Sequence, residues 1–583
     1  MKFRGLFSKF IVSGFFFLLL TPSLLAVPTV WIDDDYNSLT PGWGITHFDN
    51  VTSGIVNVDS GGTVNVAAGT YTEDLGINKS LTMDGESRQT VILQPVGAQM
   101  DPYFWAPTHI LINADNVTIQ NVQLSGDESV CDEAIMIQDC NNVTIQFCDI
   151  HNYNSDAIYS LDTTATNNLN INILNNNIYH IRENNNNIGW NTTVISFEDT
   201  GGTISGNTIT SCTVRYAIMN WIDDGYPNLA VPPVISNNTI ESIYEPLTGG
   251  VLKSTRAITA GDPATITNNI IRNCNYGIQV ELVLTGSAAY DGDITIQNNE
   301  IYDLRPSEEP GNKRSVGLYV NSIVNQAARN VLVADNILDG ISGDPALGVG
   351  LLARNATAGN ITWRNNTVEG FGVGADLRQN TTASLFDSNN FNLDPGDNSI
   401  TSDQLGIRIR ETSSLTVQNN SLIGFDYGIL LTDGSTLAIS GSTIDSQASG
   451  IRVINNATLA SATENFIAST SGNAILVEVD LNPGNVGTVF NNDLSNFSGL
   501  SVNNTTGVNI DVSGNWFGTS SSAGVNGSVS ANVDYSPWLV VSTDTSVNPG
   551  FQGDFSSLSV DDDSPQTGAL AYISEAVADL NFP

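Results

Sequence analysis

Positive charge is what this chain has least of. Only 20 of its 583 residues are Lys or Arg, against 60 Asp and Glu. A polyanion of this size repels phosphate backbones and anionic bilayers, so nucleic acid is excluded as a partner on charge alone. Cysteine is scarce too. There are five, an odd number, and they supply no disulfide framework. The four histidines, His47, His109, His151 and His180, are scattered and join no Cys cluster, which removes thiolate–imidazole metal centres. Charged residues make up 14% of the chain, well under the usual quarter. The surface must therefore be built mainly from Asn, Thr, Ser and Gly. No Ser-His-Asp arrangement and no phosphate loop is legible.

Long apolar runs are also missing, with one exception at the start. Lys2, Arg4 and Lys9 precede the apolar stretch Phe10 to Leu20, Thr21-Pro22-Ser23 breaks it, and Ala26 sits before a cleavage point. That is the layout of a signal peptide over residues 1–26, too short for a comfortable membrane span. Leu24 makes the cleavage site imperfect. The mature chain then starts near Val27 and keeps 17 basic against 60 acidic residues, a net charge of −43. It is expected outside the cell, secreted or on the cell surface, with no transmembrane segment after cleavage.

What the chain has in abundance is repetition. Asn in the pattern Asn-x-Ile/Leu/Val recurs at Asn176, Asn207, Asn238, Asn269, Asn299, Asn336, Asn366 and Asn420. Most steps are 30 or 31 residues, and Asn390 divides the longest. The pattern extends to Val122 and Cys148 before, and to Ser442, Asn465, Asn492 and Asn515 after. Apolar columns lie two residues past the marker (Ile178, Ile209, Ile240) and five past it (Ile181, Cys212, Ile243). Segments such as Val117-Thr118-Ile119 and Ile294-Thr295-Ile296 alternate with period two, which means strands. A second marker, a small residue before an apolar one, opens another strand at Ala157-Ile158, Ala217-Ile218, Gly277-Ile278 and Gly317-Leu318. One such unit cannot bury its apolar face, whereas stacked units bury a continuous core. The expectation is an all-β chain, a single parallel β-helix solenoid of about fifteen coils. Asn suits the corner because it tolerates left-handed dihedrals, and stacked Asn side chains bond along the axis. Cys212 and Cys274 occupy equivalent points two coils apart, about 10 Å, too far for a disulfide. They read as buried thiols.

At the front, GTVNVAAGTYTEDLGINKSLTMDGES (Gly62 to Ser87) resembles the opening coils of right-handed parallel β-helix repeat proteins, the NosD-like and pectate-lyase-like superfamily. At the back, NWFG (Asn515 to Gly518) and VDYSPWL (Val533 to Leu539) resemble their closing segment. The resemblance covers about residues 45–540 and implies a right-handed solenoid there, with 27–44 as a lead-in. It implies no particular activity, because the acid clusters of the pectin-cleaving hydrolases are not legible. Beyond it, Ser542 to Gln566 is polar and aperiodic, as linkers are. Ala569 to Leu580 spaces its apolar residues for a short helix. Residues 541–583 therefore read as a linker and the start of a truncated further domain, or as a tail that caps the solenoid. A monomer is expected.

Candidate chemistry lies on the strands opened by the small–apolar marker. If Ile158, Ile195, Ile218, Ile278 and Leu318 point inward, the residues one and three places later point outward. Two zones stand out in these columns. The first holds Tyr159, Glu198, Trp221, Glu281 and Tyr319, with Asp223 and Asp224 close by: aromatics beside carboxylates, the equipment for holding sugar. Paired carboxylates can also hydrolyse a glycosidic bond at separations of about 5 to 9.5 Å. Glu198 and Glu281 are three coils apart, about 14 Å, while Glu198 with Asp223 or Asp224 is one coil apart. The second zone is Arg354, Arg378, Arg408, Arg410 and Arg452, which suits carboxylated or sulfated polysaccharide unless Asp376, Glu411 and other acids of the chain pair with it. The favoured reading is an extracellular polysaccharide-binding or adhesion protein. The alternatives are a polysaccharide lyase or glycoside hydrolase, and a structural surface protein without ligand. Asp33-Asp34-Asp35 and Asp561-Asp562-Asp563 offer oxygen ligands of the kind Ca²⁺ takes, without EF-hand spacing. No other cofactor is expected. His151 and His180 follow successive markers and read as a structural stack.

Overall fold

The computed structural model describes residues 27–583 except 103–104, 165–167, 184–191, 222–230, 249–250, 262, 282–291, 311–312, 322–329, 341–347, 357–359, 383, 394–402, 479–484, 568–569, 571 and 581–583. The signal-peptide reading of 1–26 and the candidates Asp223 and Asp224 fall outside these. Among the described residues no helix is long and apolar enough to cross a membrane.

Three long parallel sheets of 18, 15 and 16 strands account for nearly all of the described secondary structure. One coil contributes a strand to each: Val143–Gln146 to the first sheet, Asp149–His151 to the second, Ile158–Leu161 to the third. The next coil lies in register on it, with Ile145 beside Ile173, Ile150 beside Ile178 and Ile158 beside Ile195. Like stacks on like because each inward position has the same shape in every coil. The result is one continuous core of Ile, Val and Leu running the length of the molecule.

The corner between the first and second sheets is where the Asn column sits, and two details differ from expectation. The left-handed residue is not the marker but the one before it: Asn175, Asn237, Asn268, Asn298 and Asn365 have φ of 53 to 56°, and Gly206 takes the same place at 70°. The marker itself makes a ladder. Asn207 donates its backbone N–H and its Nδ2 to Asn238 Oδ1, both at 3.0 Å, and its Nδ2 also to Ile173 O at 2.8 Å. The second difference is one of register. Asn389, not Asn390, carries the ladder between Asn366 and Asn420, and Phe391 fills the apolar column.

The third sheet holds the largest departure. The small residue and the apolar residue of its marker both point inward. A Cβ on Gly277 would meet Ile301 of the second sheet at 2.8 Å, and one on Gly350 would meet Val368 at 2.3 Å; Ile278 and Leu351 are also in the core. The pairing skips the small residue: Tyr276 aligns with Val316, then Ile278 with Leu318. Two successive inward residues displace the alternation, as a bulge does. A third outward column results, two places before the apolar residue. The small residue is needed because backbone and core close on it from both sides. At Gly317 a Cβ would lie 2.3 Å from Leu338 Cδ2 and 2.7 Å from Gly350 O. Gly317→Val should therefore destabilise by about 1–3 kcal/mol, read as a lowered thermal midpoint.

Both ends are covered. At the front, Thr29–Ile32 pairs with His47–Phe48 on one side and Gly62–Val66 on the other, so the stretch read as a lead-in already belongs to the first sheet. The helix Val51–Asn57 lays Val51 and Ile55 over the core. Asn50 caps it by accepting from Ser53 N. At the back, the stretch read as a free linker is docked. Phe551 and Phe555 pack with Leu539, and Phe551 N donates to Glu464 O at 2.9 Å. Leu558–Ser559 pairs antiparallel with Trp538–Leu539. The helix Tyr572–Asp579 follows, held by Glu575 accepting from Ser513 Oγ at 3.0 Å. All five cysteines are buried and free.

Candidate functional site

The outer face of the third sheet carries the predicted site residues that are described, now in three columns. Where they converge is a cavity of about 410 Å³ lined by Arg256, Tyr276, Gln279, Glu281, Arg314, Tyr319, Asn321, Leu352, Arg354 and Arg378. Four predicted residues, Glu281, Tyr319, Arg354 and Arg378, meet here from both zones. Arg256 and Tyr276 were missed because they stand in the column created by the bulge. Arg314 lies just before its strand, where no periodicity signals it.

Arg256 is held in place. Its guanidinium lies over the Tyr216 and Tyr276 rings at 5.4 and 5.3 Å, and its Nε donates to Gln279 Oε1 at 2.8 Å. Gln279 in turn donates to Glu281 Oε2 at 2.6 Å. Tyr319 lies 6.2 Å from Tyr276, the rings tilted by 37°. Arg354 Nε donates to Gln379 Oε1. Arg378 Nε is buried without a hydrogen-bond partner. Burial biases the Arg378 guanidinium against its charge; Arg314 and Arg410 act the same way, while Asp376 opposes them. Among the described residues no carboxylate is ion-paired with Arg256, Arg314, Arg354 or Arg378.

The other three arginines of the second zone are already paired. Arg408 and Arg410 both clamp Asp376 through Nε and Nη2, at 2.8 to 3.1 Å. Burial pushes the Asp376 carboxyl up, but the hydrogen bonds and charges of the two arginines outweigh it and hold the group below its ordinary value. Arg452 bonds Glu478 at 2.6 Å and covers the Tyr427 ring at 5.0 Å. Among the described residues the five-arginine face reduces to two members without a carboxylate partner, Arg354 and Arg378, joined by two from elsewhere.

The first zone also divides. Tyr159 donates its hydroxyl to Glu198 and packs with Met136 and Leu161. Trp221 is beside Glu198 in register. Tyr159 and Tyr319 are each only 8% exposed, so neither forms the open aromatic wall expected of it. A carboxyl pair that the sequence did not reveal lies in the bulge column nearby. Glu133 accepts from Thr108 Oγ1 at 2.7 Å; Asp156 accepts from Thr193 N at 2.9 Å and Ser155 Oγ at 2.7 Å. Ile135 aligns with Ile158, which places Glu133 and Asp156 one coil apart. Burial pushes Asp156 up to about 7, and Glu133 well above its ordinary value.

The acid runs fold as turns. Asp35 N donates to Asp33 Oδ1 at 3.0 Å and Asp563 N to Asp561 Oδ1 at 3.1 Å. His151 stacks on Tyr179, 4.7 Å between centroids, and it is Tyr179, not His180, that stands in register with it.

Residues 349–517 match the family described as the right handed beta helix region. The chain folds as a right-handed parallel β-helix. No curated protein matches it in sequence. Solved structures similar to this β-helix include the complex of XylC with xylose, at 10% identity and TM-score 0.36, over 67% of this chain and 83% of that one. The catalytic domain of a GH87 α-1,3-glucanase in complex with nigerose shares 11% identity, TM-score 0.36, over 63% and 64%. A GH136 lacto-N-biosidase from Eubacterium ramulus shares 10%, TM-score 0.36, over 66% and 67%. Likeness at this level says nothing about ligand or activity.

Proposed function

We propose that this β-helix is an exported protein, secreted or held at the cell surface, that binds acidic polysaccharide in the third-sheet cavity. One observation carries the reading: four arginines, Arg256, Arg314, Arg354 and Arg378, line one cavity, against one carboxylate, Glu281, among the described residues. A carboxylate or a sulfate matches the fork of N–H groups that a guanidinium presents. The cavity volume is within the usual range for ligand sites. On a chain this acidic, such a pocket holds its ligand only at short range, inside the Debye length.

Oligogalacturonate or oligoalginate titrated calorimetrically against the full chain tests this. Arg378→Ser and Arg354→Ser should each weaken binding at least tenfold and reduce its salt dependence, with the thermal midpoint little changed. Unchanged affinity in both variants overturns the reading. Arg410→Ser is the contrasting case. It removes one clamp from a buried carboxylate, so it should cost stability, by about 3 kcal/mol, more than binding. Release of shortened oligosaccharides on incubation would favour an enzyme over a binder.

A further inference from the structure

A second cavity, also of about 410 Å³, lies at the front of the first sheet. In the strand Thr29–Ile32, Val30 and Ile32 are fully buried, so Trp31 points outward and is 42% exposed. Its register partners are His47 on one side and Asn65 on the other, and Asn65 pairs onward with Asp84. The indole stacks on the His47 ring at 5.4 Å and 16°. Tyr36 leans on the same imidazole at 5.1 Å. His47 thus braces two aromatic rings. Asn65, Asp84, Glu86 and Asn121 supply polar side chains to the lining. They are fixed as well: Asn121 Nδ2 donates to Asp84 Oδ1 at 2.9 Å, and Glu86 Oε2 accepts from Ala68 N at 3.1 Å.

We propose that this cleft is a binding site for neutral polysaccharide, with a sugar ring on Trp31. An exposed indole face offers apolar area to the C–H face of a pyranose at low entropic cost, because the ring is already braced. The carboxylates accept from sugar hydroxyls, and the Asn side chains both donate and accept. Among the described residues two carboxylates line the cavity and no Lys or Arg does, so a uronate or sulfate is repelled. The cleft is thus opposite in charge to the third-sheet pocket and independent of the reading given to it.

The test uses the full chain and three probes: hexamers of β-1,4-linked glucose, xylose and mannose, by isothermal calorimetry. At least one should bind. Trp31→Ala should weaken that binding tenfold or more, and Asp84→Asn by about threefold to tenfold, while oligogalacturonate affinity stays as in the wild type. If circular dichroism shows Trp31→Ala misfolded, Asp84→Asn and Asn65→Ala decide in its place. Binding of none of the three hexamers, wild-type affinity in the folded variants, or displacement of a bound hexamer by oligogalacturonate would each overturn the proposal. Loss of oligogalacturonate binding by the wild type would instead sink the third-sheet reading and leave this one standing.

Discussion

Between about pH 4 and pH 7 this protein should lose up to about 4 kcal/mol of local stability around the coils that hold Asp156. Burial is the first cause of its raised value, about 7 against an ordinary 3.8. The bonds from Ser155 and Thr193 N work against it, while Asp132 and Glu183 add to it. In the unfolded chain the carboxyl releases its proton near its ordinary value. In the folded chain it keeps that proton until about pH 7. Between the two values the folded state binds more protons, so stability falls as pH rises. It is greatest below about pH 4 and levels off above about pH 7. Glu133, raised first by burial and also by Asp156, Asp101 and Asp132, contributes in the same direction. Solenoids open by segments rather than in one step, so the probe must be local. The amides of Ala134, bonded to Asp156 O, and Ala157, bonded to Val194 O, should exchange faster at pH 8 than intrinsic rates allow for. Asp156→Asn, which mimics the protonated acid, should flatten that dependence. If protection of these amides, corrected for intrinsic exchange, is flat from pH 4 to 8 in the wild type, the carboxyl is not holding its proton.

Cutting the Asn ladder at its middle should cost roughly 4 kcal/mol. Asn238 Oδ1 accepts from Asn207 N and Nδ2, and Asn238 Nδ2 donates to Ile204 O and Asn269 Oδ1, at 2.9 to 3.0 Å. Asn238→Ala removes all four: it leaves the buried Asn207 N–H without an acceptor, at about 1–3 kcal/mol, and each of the other three bonds lost costs about 1 kcal/mol, since Asn207 Nδ2 keeps Ile173 O and Asn269 Oδ1 keeps Asn238 N. Some of this is recovered by relaxation or by water. Asn238→Asp keeps the acceptor but loses the donor and buries a charge, so it should be worse. Asn238→Ser should be milder, because Ser442 already fills one rung: its Oγ accepts from Asn420 N at 3.1 Å and donates to Ser440 O at 2.9 Å. Thermal and denaturant midpoints give the order, expected as Ser above Ala above Asp. Equal midpoints for Ala and wild type would show that the ladder is ornamental.

Much of the architecture was legible because stacking repeats one local environment. A column such as Ile178, Ile209, Ile240 and Ile271 must recur at the interval of a coil, since each residue fills the same site against its neighbour above and below. Period and composition therefore carried the fold class, the coil number and the buried thiols. The slip at Asn390 shows the limit: in a run of Asn, spacing alone does not say which one turns inward. The slip in the third sheet was more consequential. Alternation was assumed to run straight through Gly277-Ile278, and the bulge there moved Arg256, Tyr276, Glu133 and Asp156 onto the outer face.

The sequence alone determined that this chain is a parallel stack of β coils, because apolar periodicity is a local, additive signal repeated many times. It also placed Glu281, Tyr319, Arg354 and Arg378 on one face. Only the tertiary structure decided which arginines are free. Arg378 and Arg410 stand in the same column, yet Arg410 is bound to Asp376, while Arg378 has no carboxylate ion-paired with it among the described residues. Pairing depends on where a side chain reaches across neighbouring strands, and on whether a carboxylate is within about 3 Å when it arrives. No spacing along the chain records that distance.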